Sequence, residues 1–471
     1  MGPDYVTPGV DAPATWVHAQ SSEIVQSNDN LSDISWWENF NDPKLDELID
    51  QALAKNNNIQ VAIGNIGVAE AQLKQVHMNW VPTINLGGAA LSGQLLNFSS
   101  NSNNSMVTGI NPGNSSFTFY QAGLVPTYSL NILKQIKNSE LAKANLAGAK
   151  AVRDAIRLTI ISQVAGSYFS LLALDQQLRE QKQVVADLVE VVRLAKIQYK
   201  HGYVALTDIK PYEQQLEQSK MAIPNIEDNI VHMQNALKVL LGKNPGNIVR
   251  NNNFNNISLD NKIPINLPSE ILRNRPDIRQ AEEQLKATNA DIGVAKSNYF
   301  PSITLTTPAG AFSSQLAGLF NNPSGDFWFA QILATMPILN LGLNALIKEK
   351  KAKYYVAYYT YIQTVKAAFA DTDNSLSSAA RTADTYITAS KMYKVARENA
   401  ALNLENYHLG YMSYPDSLSS KITADNTKIL LTQAKLQQVQ AILKVYQAMA
   451  GGYNYKNTDK PTPIDDEHNY D

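Results

Sequence analysis

Apolar positions along this chain follow two rhythms, and each rhythm occurs twice. From about Pro43 to Met78 the apolar residues keep helical spacing: Leu45, Leu48, Ile49, Ala52 and Leu53 fall at i, i+3, i+4, i+7 and i+8. Pro82 closes that stretch. Over 83–130 the period shortens to two. Ile84 and Leu86 alternate with polar neighbours, an Asn/Ser/Gly-rich run covers 97–116, and Phe117, Phe119, Tyr120, Leu124 and Val125 follow. This spacing predicts a long β-hairpin with a polar tip. Residues 302–340 repeat the plan, with Ile303 and Leu305 alternating, a Gly/Pro/Asn tip near 318–325 and an aromatic, apolar stretch over 327–336. Pro126 and Pro337 are expected at matching strand ends.

A very long helical stretch follows each hairpin. Residues 343–409 contain no Gly and no Pro. At about 1.5 Å per residue, roughly 65 residues would span about 100 Å. Val365, Phe369, Leu376, Ala379, Ala383 and Tyr386 form a narrow stripe on an otherwise polar, Ala-rich rod, which suggests coiled-coil packing. Residues 134–200 match it, with Gly148 and Gly166 inside. Gly202 and Gly410 are expected to end the two rods as left-handed caps. Return helices are predicted over about 206–241 and 414–450. Thr207 is the expected N-cap of the first, with Asp208 in its first turn, and Pro415 and Asp416 take the matching places. Pro224 should kink the first return helix. A return helix and a hairpin-preceding helix, stacked end to end, roughly equal one long rod, so each repeat can build one wall of a tube.

The duplication is visible residue by residue. Tyr199, Gly202, Tyr203 and Asp208 recur as Tyr407, Gly410, Tyr411 and Asp416, an offset of 208. Asn79-Trp80-Val81-Pro82 recurs as Asn298-Tyr299-Phe300-Pro301, an offset of 219. The expected plan is an N-terminal arm 1–42, pinned by Trp36, Trp37 and Phe40; repeat 1 over 43–242, with its hairpin at about 83–130 and tip turn at about 201–207; a linker 243–267; repeat 2 over 268–451, with its hairpin at about 302–340 and tip turn at about 409–415; and a tail 452–471.

Composition narrows the function classes. At 471 residues the chain has room for two or three ordinary domains, and 44 % hydrophobic content is that of a folded protein. A net charge of -2 without a Lys/Arg cluster argues against nucleic acid as a partner. No cysteine is present, which excludes disulfides and thiolate metal sites. No run of 18 apolar residues exists, so no transmembrane helix is expected, whereas a membrane β-barrel stays open because its strands are short and half apolar. The start Met1-Gly2-Pro3-Asp4-Tyr5 shows no signal peptide and reads either as a cytosolic start or as a mature terminus. The six histidines are scattered, Gly242-Lys243-Asn244-Pro245-Gly246 lacks phosphate-loop spacing, and no nucleophile-elbow pattern occurs. No catalytic residue, metal or cofactor is therefore assigned, and the chain is read as a non-enzyme. Arg273 and Arg275 with Asp277 are expected as surface ion pairs of small value.

Two hairpins give four strands, which cannot close a barrel around anything. Left open, their edges pair with other chains, and in a bilayer unpaired backbone groups find no water. Three chains would supply twelve strands, an even number within the outer-membrane range; two or four copies stay open on this ground. Strands of roughly 10 to 14 residues suit a tilted crossing of the hydrocarbon layer.

At these residues the chain resembles the TolC-like outer membrane efflux factors, and within them the NodT-type lipoprotein branch. The resemblance covers nearly the whole chain. Gly2-Pro3-Asp4-Tyr5, Trp36-Trp37 with Phe40 and Asp42, Leu272-Arg273-Asn274-Arg275-Pro276-Asp277-Ile278, Asn298-Tyr299-Phe300-Pro301-Ser302-Ile303 and the turn Gly202-Tyr203-Val204-Ala205-Leu206-Thr207-Asp208 carry it as an ordered set. It implies a mainly α fold with a β-barrel: a homotrimer whose twelve-stranded barrel crosses the outer membrane of a Gram-negative bacterium and continues into a periplasmic α-helical barrel. It also implies a passive exit duct, closed at the periplasmic tip until it docks with a periplasmic adaptor (membrane fusion) protein and an inner-membrane pump. Outer membrane lipid is the remaining partner. Met1 stands where the branch carries its acylated Cys, so the sequence is expected to lack a signal peptide and lipid anchor that the native protein has.

By position, Asp416 resembles an acidic gate residue and Asp208 the first-repeat acid that latches the closed state. Rings of such acids favour cations; each acid also suits a helix start without any gate. Where some relatives place an Arg that binds the acid, this chain has Met412, and where a second gate acid would follow, Ser419 stands. Tyr199 and Tyr407 end the long helices, either packing there or bonding across a closed tip. Gly202, Tyr203, Gly410 and Tyr411 form the candidate adaptor-docking turns, and Phe327, Trp328 and Phe329 are candidates for a membrane-interface girdle. The competing reading is a structural coiled-coil envelope protein that conducts nothing.

Overall fold

The structure is a computed structural model. It describes residues 4–11, 13, 16, 31–95, 115–250, 253–259, 274–321 and 323–457. Most of the Asn/Ser/Gly-rich hairpin tip, Met1-Gly2-Pro3, the Leu272-Arg273 start of one family-like segment, residues 251–252 and 260–267 of the linker and the last part of the tail lie outside the described residues.

The fold is mainly helical with one curled sheet, and it is built twice from the same parts. Helices α1 (Pro43–Lys55) and α2 (Asn57–Met78) lead into strands β1 (Thr83–Leu95) and β2 (Ser115–Leu130). Helix α3 (Ile132–Lys200) follows, and α4 (Leu206–Leu240) returns. The second copy runs through α5 (Pro276–Ser297), strands β3 (Ser302–Thr306), β4 (Ala309–Ser313), β5 (Gly325–Trp328) and β6 (Gln331–Thr335), the long helix α6 (Leu341–His408) and the return helix α7 (Tyr414–Ala448). The long helices have 69 and 68 residues and the return helices 35 each. α3 passes Gly148 and Gly166 without a break, and α4 is continuous through Pro211 and Pro224.

Two compact units divide the chain. The first holds residues 1–6, 69–146 and 284–357, and therefore the sheet. Here β1 and β2 form one long antiparallel pair, with Leu86 opposite Leu124 and Gly87 opposite Gly123. The other face of the ladder is not one hairpin of two strands, as the period-two pattern over 302–340 suggested. β2 pairs with β3 at Thr127–Leu130 and with β4 at Tyr120–Leu124, so β3 and β4 are one strand line broken at Thr307–Pro308. β6 pairs with β3 and β5 with β4, which makes β5 and β6 the second broken line. Pro308 has no N–H to give the ladder, and the chain steps around it; Thr307 N–H instead meets the carbonyl of Pro126 at 3.0 Å. Pro126 itself lies inside β2, opposite Ile84, rather than at a strand end.

The second unit holds residues 7–68, 147–283 and 358–471. Its main core gathers Trp36, Trp37 and Phe40 with α1, the middle of α3 (Ile161, Val164, Phe169), the end of α4 (Leu237) and the end of α7 (Val439, Tyr446). Trp36 stacks on Tyr446 with ring centroids 4.8 Å apart and donates its indole N–H to the Gly451 carbonyl at 3.2 Å. Tyr168 is buried beside Asp42 and donates to its Oδ2 at 2.9 Å. One 18-residue window of α3 is apolar enough to cross a membrane by composition, but 67 % of it is buried against the rest of the protein, as the centre of a core helix is. Arg275 departs from its expected surface role. Its half-buried side chain donates to Asp277 at 2.8 Å, to Asp371 at 3.3 Å and to the Ala448 carbonyl at 2.8 Å, tying the start of α5 to α6 and to the end of α7.

Candidate functional site

The repeated residues converge on two helix-to-helix turns, both in the second unit. α3 ends in a left-handed cap at Gly202 (φ 75°) and α6 in one at Gly410 (φ 80°). In the first, Gly202 N–H donates to the Tyr199 carbonyl and Tyr203 N–H to that of Gln198, each at 2.9 Å. In the second, Gly410 N–H reaches Tyr407 at 2.9 Å and Tyr411 N–H reaches Asn406 at 2.8 Å. These are two copies of one motif, which satisfies the last carbonyls of the helix and requires a positive φ. The motif turns Tyr203 and Tyr411 outward: their side chains are 80 % and 82 % exposed. Polar-tipped aromatic rings this free of the protein suit contact with a partner.

The starts of the return helices differ. α4 begins at Leu206 with Ala205 as N-cap, not Thr207. Thr207 already lies inside the first turn, and the reason is Asp208, whose carboxylate Oδ2 accepts the Ala205 N–H at 2.9 Å and so fixes the cap two residues earlier. α7 begins at Tyr414 with Ser413 as N-cap. Ser413 Oγ accepts the Asp416 N–H at 3.3 Å and donates to Asp416 Oδ2 at 2.5 Å. Ser413 was not singled out from the sequence, although Ser-x-x-Asp is the spacing of a reciprocal cap.

Asp208 and Asp416 are both exposed and sit at the third position of their helices. Among the described residues no Lys or Arg pairs with either. Met412 is half-buried, and the Ser419 hydroxyl turns back to the Pro415 carbonyl at 3.0 Å. Tyr407 packs on Tyr414 with centroids 4.8 Å apart, so it joins the end of α6 to the start of α7, while the Tyr199 ring is half-exposed. The turns thus present two acids, two exposed tyrosines and backbone. Among the described residues no cluster of His, Asp and Glu has metal-site geometry. In the other unit, Trp328 at the end of β5 and Phe329 just after it are exposed, and the half-buried Phe327 has its ring 6.5 Å from that of Phe329.

Comparison with known proteins gives a consistent answer. The profile of the family described as outer membrane efflux protein matches residues 48–243 and 267–451. The chain is similar to nodulation protein T of Rhizobium leguminosarum bv. trifolii, 28 % identical over 464 residues, covering 96 % of this chain and 94 % of the relative. It is similar to the probable efflux pump outer membrane protein TtgC of Pseudomonas putida, 27 % identical over 97 % of this chain and 93 % of the relative. Among solved structures it superposes on the open state of the Neisseria gonorrhoeae MtrE outer membrane channel with a TM-score of 0.82 and 25 % identity, over 98 % of this chain and all of that one. The resemblance to the NodT-type branch is borne out.

Proposed function

We infer the function from one premise: the chain belongs to the outer membrane efflux protein family. It is an outer membrane efflux channel of a Gram-negative bacterium. We propose further that it is the passive exit duct of a tripartite system, carrying cargo from periplasm to exterior while an inner-membrane pump supplies the energy.

The observation that carries this reading is the unclosed sheet. Among the described residues β1 pairs with β2 alone, β5 with β4 and β6 with β3, so both sides of the sheet end in free edges. Apolar cross-strand pairs, Leu86 with Leu124 and Leu305 with Ile332, face away from the protein. Four strand lines with apolar outer faces need a bilayer around them and more strands beside them. A homotrimer supplies twelve lines and closes the barrel. In this reading repeats 43–242 and 268–451 each furnish a hairpin and a helical wall, joined by the linker 243–267 and flanked by the arm 1–42 and the tail 452–471. Asp208 and Asp416 form rings of acids at the periplasmic tip, with Tyr199, Tyr407 and Met412 packed beside them. The turns at Gly202-Tyr203 and Gly410-Tyr411 receive the adaptor, and Phe327, Trp328 and Phe329 lie at the lipid interface. No chemistry and no cofactor are required.

Mass measurement in detergent and conductance in planar bilayers test the reading together. A trimer with an aqueous conductance is expected. A water-soluble monomer, or a trimer that conducts nothing, overturns it.

A further inference from the structure

The second unit contains a polar ladder that the tip residues do not explain. α3 packs against α4 on one side, through Tyr212 and Leu216, and against α7 on the other, through Leu418 and Ile422. Beyond this apolar layer the α3–α7 seam becomes charged. Lys421 Nζ lies 2.6 and 2.8 Å from the two carboxylate oxygens of buried Asp187, which also accepts from Gln183 at 3.1 Å. One helical turn on, Asp425 has its Oδ2 shut off from water without a hydrogen-bond partner. Two turns further along α3 towards its start, buried Glu180 accepts from Gln176 at 2.6 Å and from Thr432 at 3.1 Å, with Lys428 at 3.7 Å.

Three carboxylates, Asp187, Asp425 and Glu180, share the seam with Lys421 and Lys428, and Arg179 acts on Glu180 from α3. Lys421 is taken up by both oxygens of Asp187 and Asp425 Oδ2 is left without a donor, and a buried carboxylate oxygen without a donor is where a proton is most needed. We propose that the α3–α7 seam is a proton-operated latch, in which a proton on Asp425 beside Asp187 keeps the α6–α7 hairpin fixed against the α3–α4 hairpin. Because α7 carries Asp416, the consequence for conduction rests on the tip-gate reading above.

The direction follows from burial. Desolvation first, and then the Asp187 carboxylate, push Asp425 up to about 6, against the pull of Lys421 and Lys428. The charged groups acting on it are Asp187 from α3 and those two lysines on its own helix. α6 meets α7 nearby with neutral Asn403, which donates to Ser420 at 2.7 Å. Below that pH Asp425 is protonated and the seam is closed. Above it Asp425 ionises against Asp187, and like-charge repulsion in a desolvated place loosens the two hairpins.

The test uses the full chain in detergent and in planar bilayers. In the infrared spectrum a protonated-carboxyl band should titrate with a midpoint of about 6 and vanish in Asp425→Asn. Conductance of the wild type should rise several-fold from acid to neutral pH. Asp425→Asn should stay at the low acid level throughout. Asp187→Asn, which removes the carboxylate that pushes Asp425 up, should also lose the band and the pH dependence. A variant that keeps the wild-type pH profile, or a band that survives Asp425→Asn, overturns the latch. A wild type that carries the band but conducts at no pH overturns the duct reading and leaves the proton in place.

Discussion

Ser413 and Asp416 hold each other: one hydroxyl accepts the Asp416 N–H and donates to its carboxylate. Asp208, at the same place in the first repeat, faces Ala205, which has no side-chain oxygen to return. The second tip is thus capped from both sides and the first from one. Replacing a good N-cap by Ala costs about 1 kcal/mol. Ser413→Ala should therefore loosen the second turn by about that much, and Ala205→Ser should tighten the first by a similar amount. Hydrogen–deuterium exchange at the first amides of α4 and α7 reads both. Equal exchange in wild type and both variants would remove the caps from the account.

Asp416 has two separable roles, a charge and a cap. Asp416→Asn keeps a polar side chain that can still bond Ser413, and removes the charge. If the acid forms a ring at the constriction, cation preference in planar bilayers should fall in this variant while exchange at the turn stays near wild type. Asp416→Ala removes both roles, and should also raise single-channel conductance. Unchanged selectivity in both variants contradicts a gating role.

The repeat itself made much of this legible. Once Gly202 and Gly410 were aligned, both helix ends, both exposed tyrosines and both acids followed, because a left-handed cap favours a residue without a Cβ. What escaped was decided by distant partners. Asn56 splits the first helical stretch into α1 and α2: its side chain caps α2 through Asn58 N–H at 2.9 Å while its amide donates to the Leu240 carbonyl at 2.8 Å. Arg275 reads as a surface charge until α6 and the end of α7 close over it. Ala450 occupies the left-handed position after α7 (φ 57°) that Gly242 fills after α4 (φ 65°), so the second copy of that cap carries no glycine to betray it. The Asp187–Lys421 contact joins residues too far apart in sequence for any periodicity to link them.

Glycines divide by what surrounds them. Gly410 has positive φ but nothing within 4 Å of where a Cβ would stand, so Gly410→Ala meets backbone strain alone, about 1–2 kcal/mol. Gly410→Asn should cost less, because Asn tolerates this conformation. Gly123 has ordinary φ, yet a Cβ there would lie 2.3 Å from the Ala309 carbonyl oxygen and 2.7 Å from Gly310 Cα. Gly123→Ala must push β4 off β2. Heat-resistant trimers on a gel should persist in both Gly410 variants and be largely lost in Gly123→Ala. The reverse order would mean that the β2–β4 contact does not control barrel assembly.

Lys435 offers a test through pH. Its buried ammonium donates to the carbonyls of Phe254 at 3.0 Å and Asn255 at 2.9 Å, fastening the middle of the linker to α7, with no carboxylate partner among the described residues. Burial lowers it to about 8, against an ordinary value of 10.5. Between those values the unfolded chain holds the proton and the folded chain does not, so stability rises with pH through the window. Below about 8 both states are charged and the burial penalty is felt in full. Lys435→Met removes the titration but keeps the bulk. The thermal midpoint of the wild type, measured against that of Lys435→Met, should therefore improve steadily from pH 8 to pH 10.5 and be level below. A difference that stays flat across the window would mean that this ammonium reaches water and that the linker is held by Phe254 packing alone.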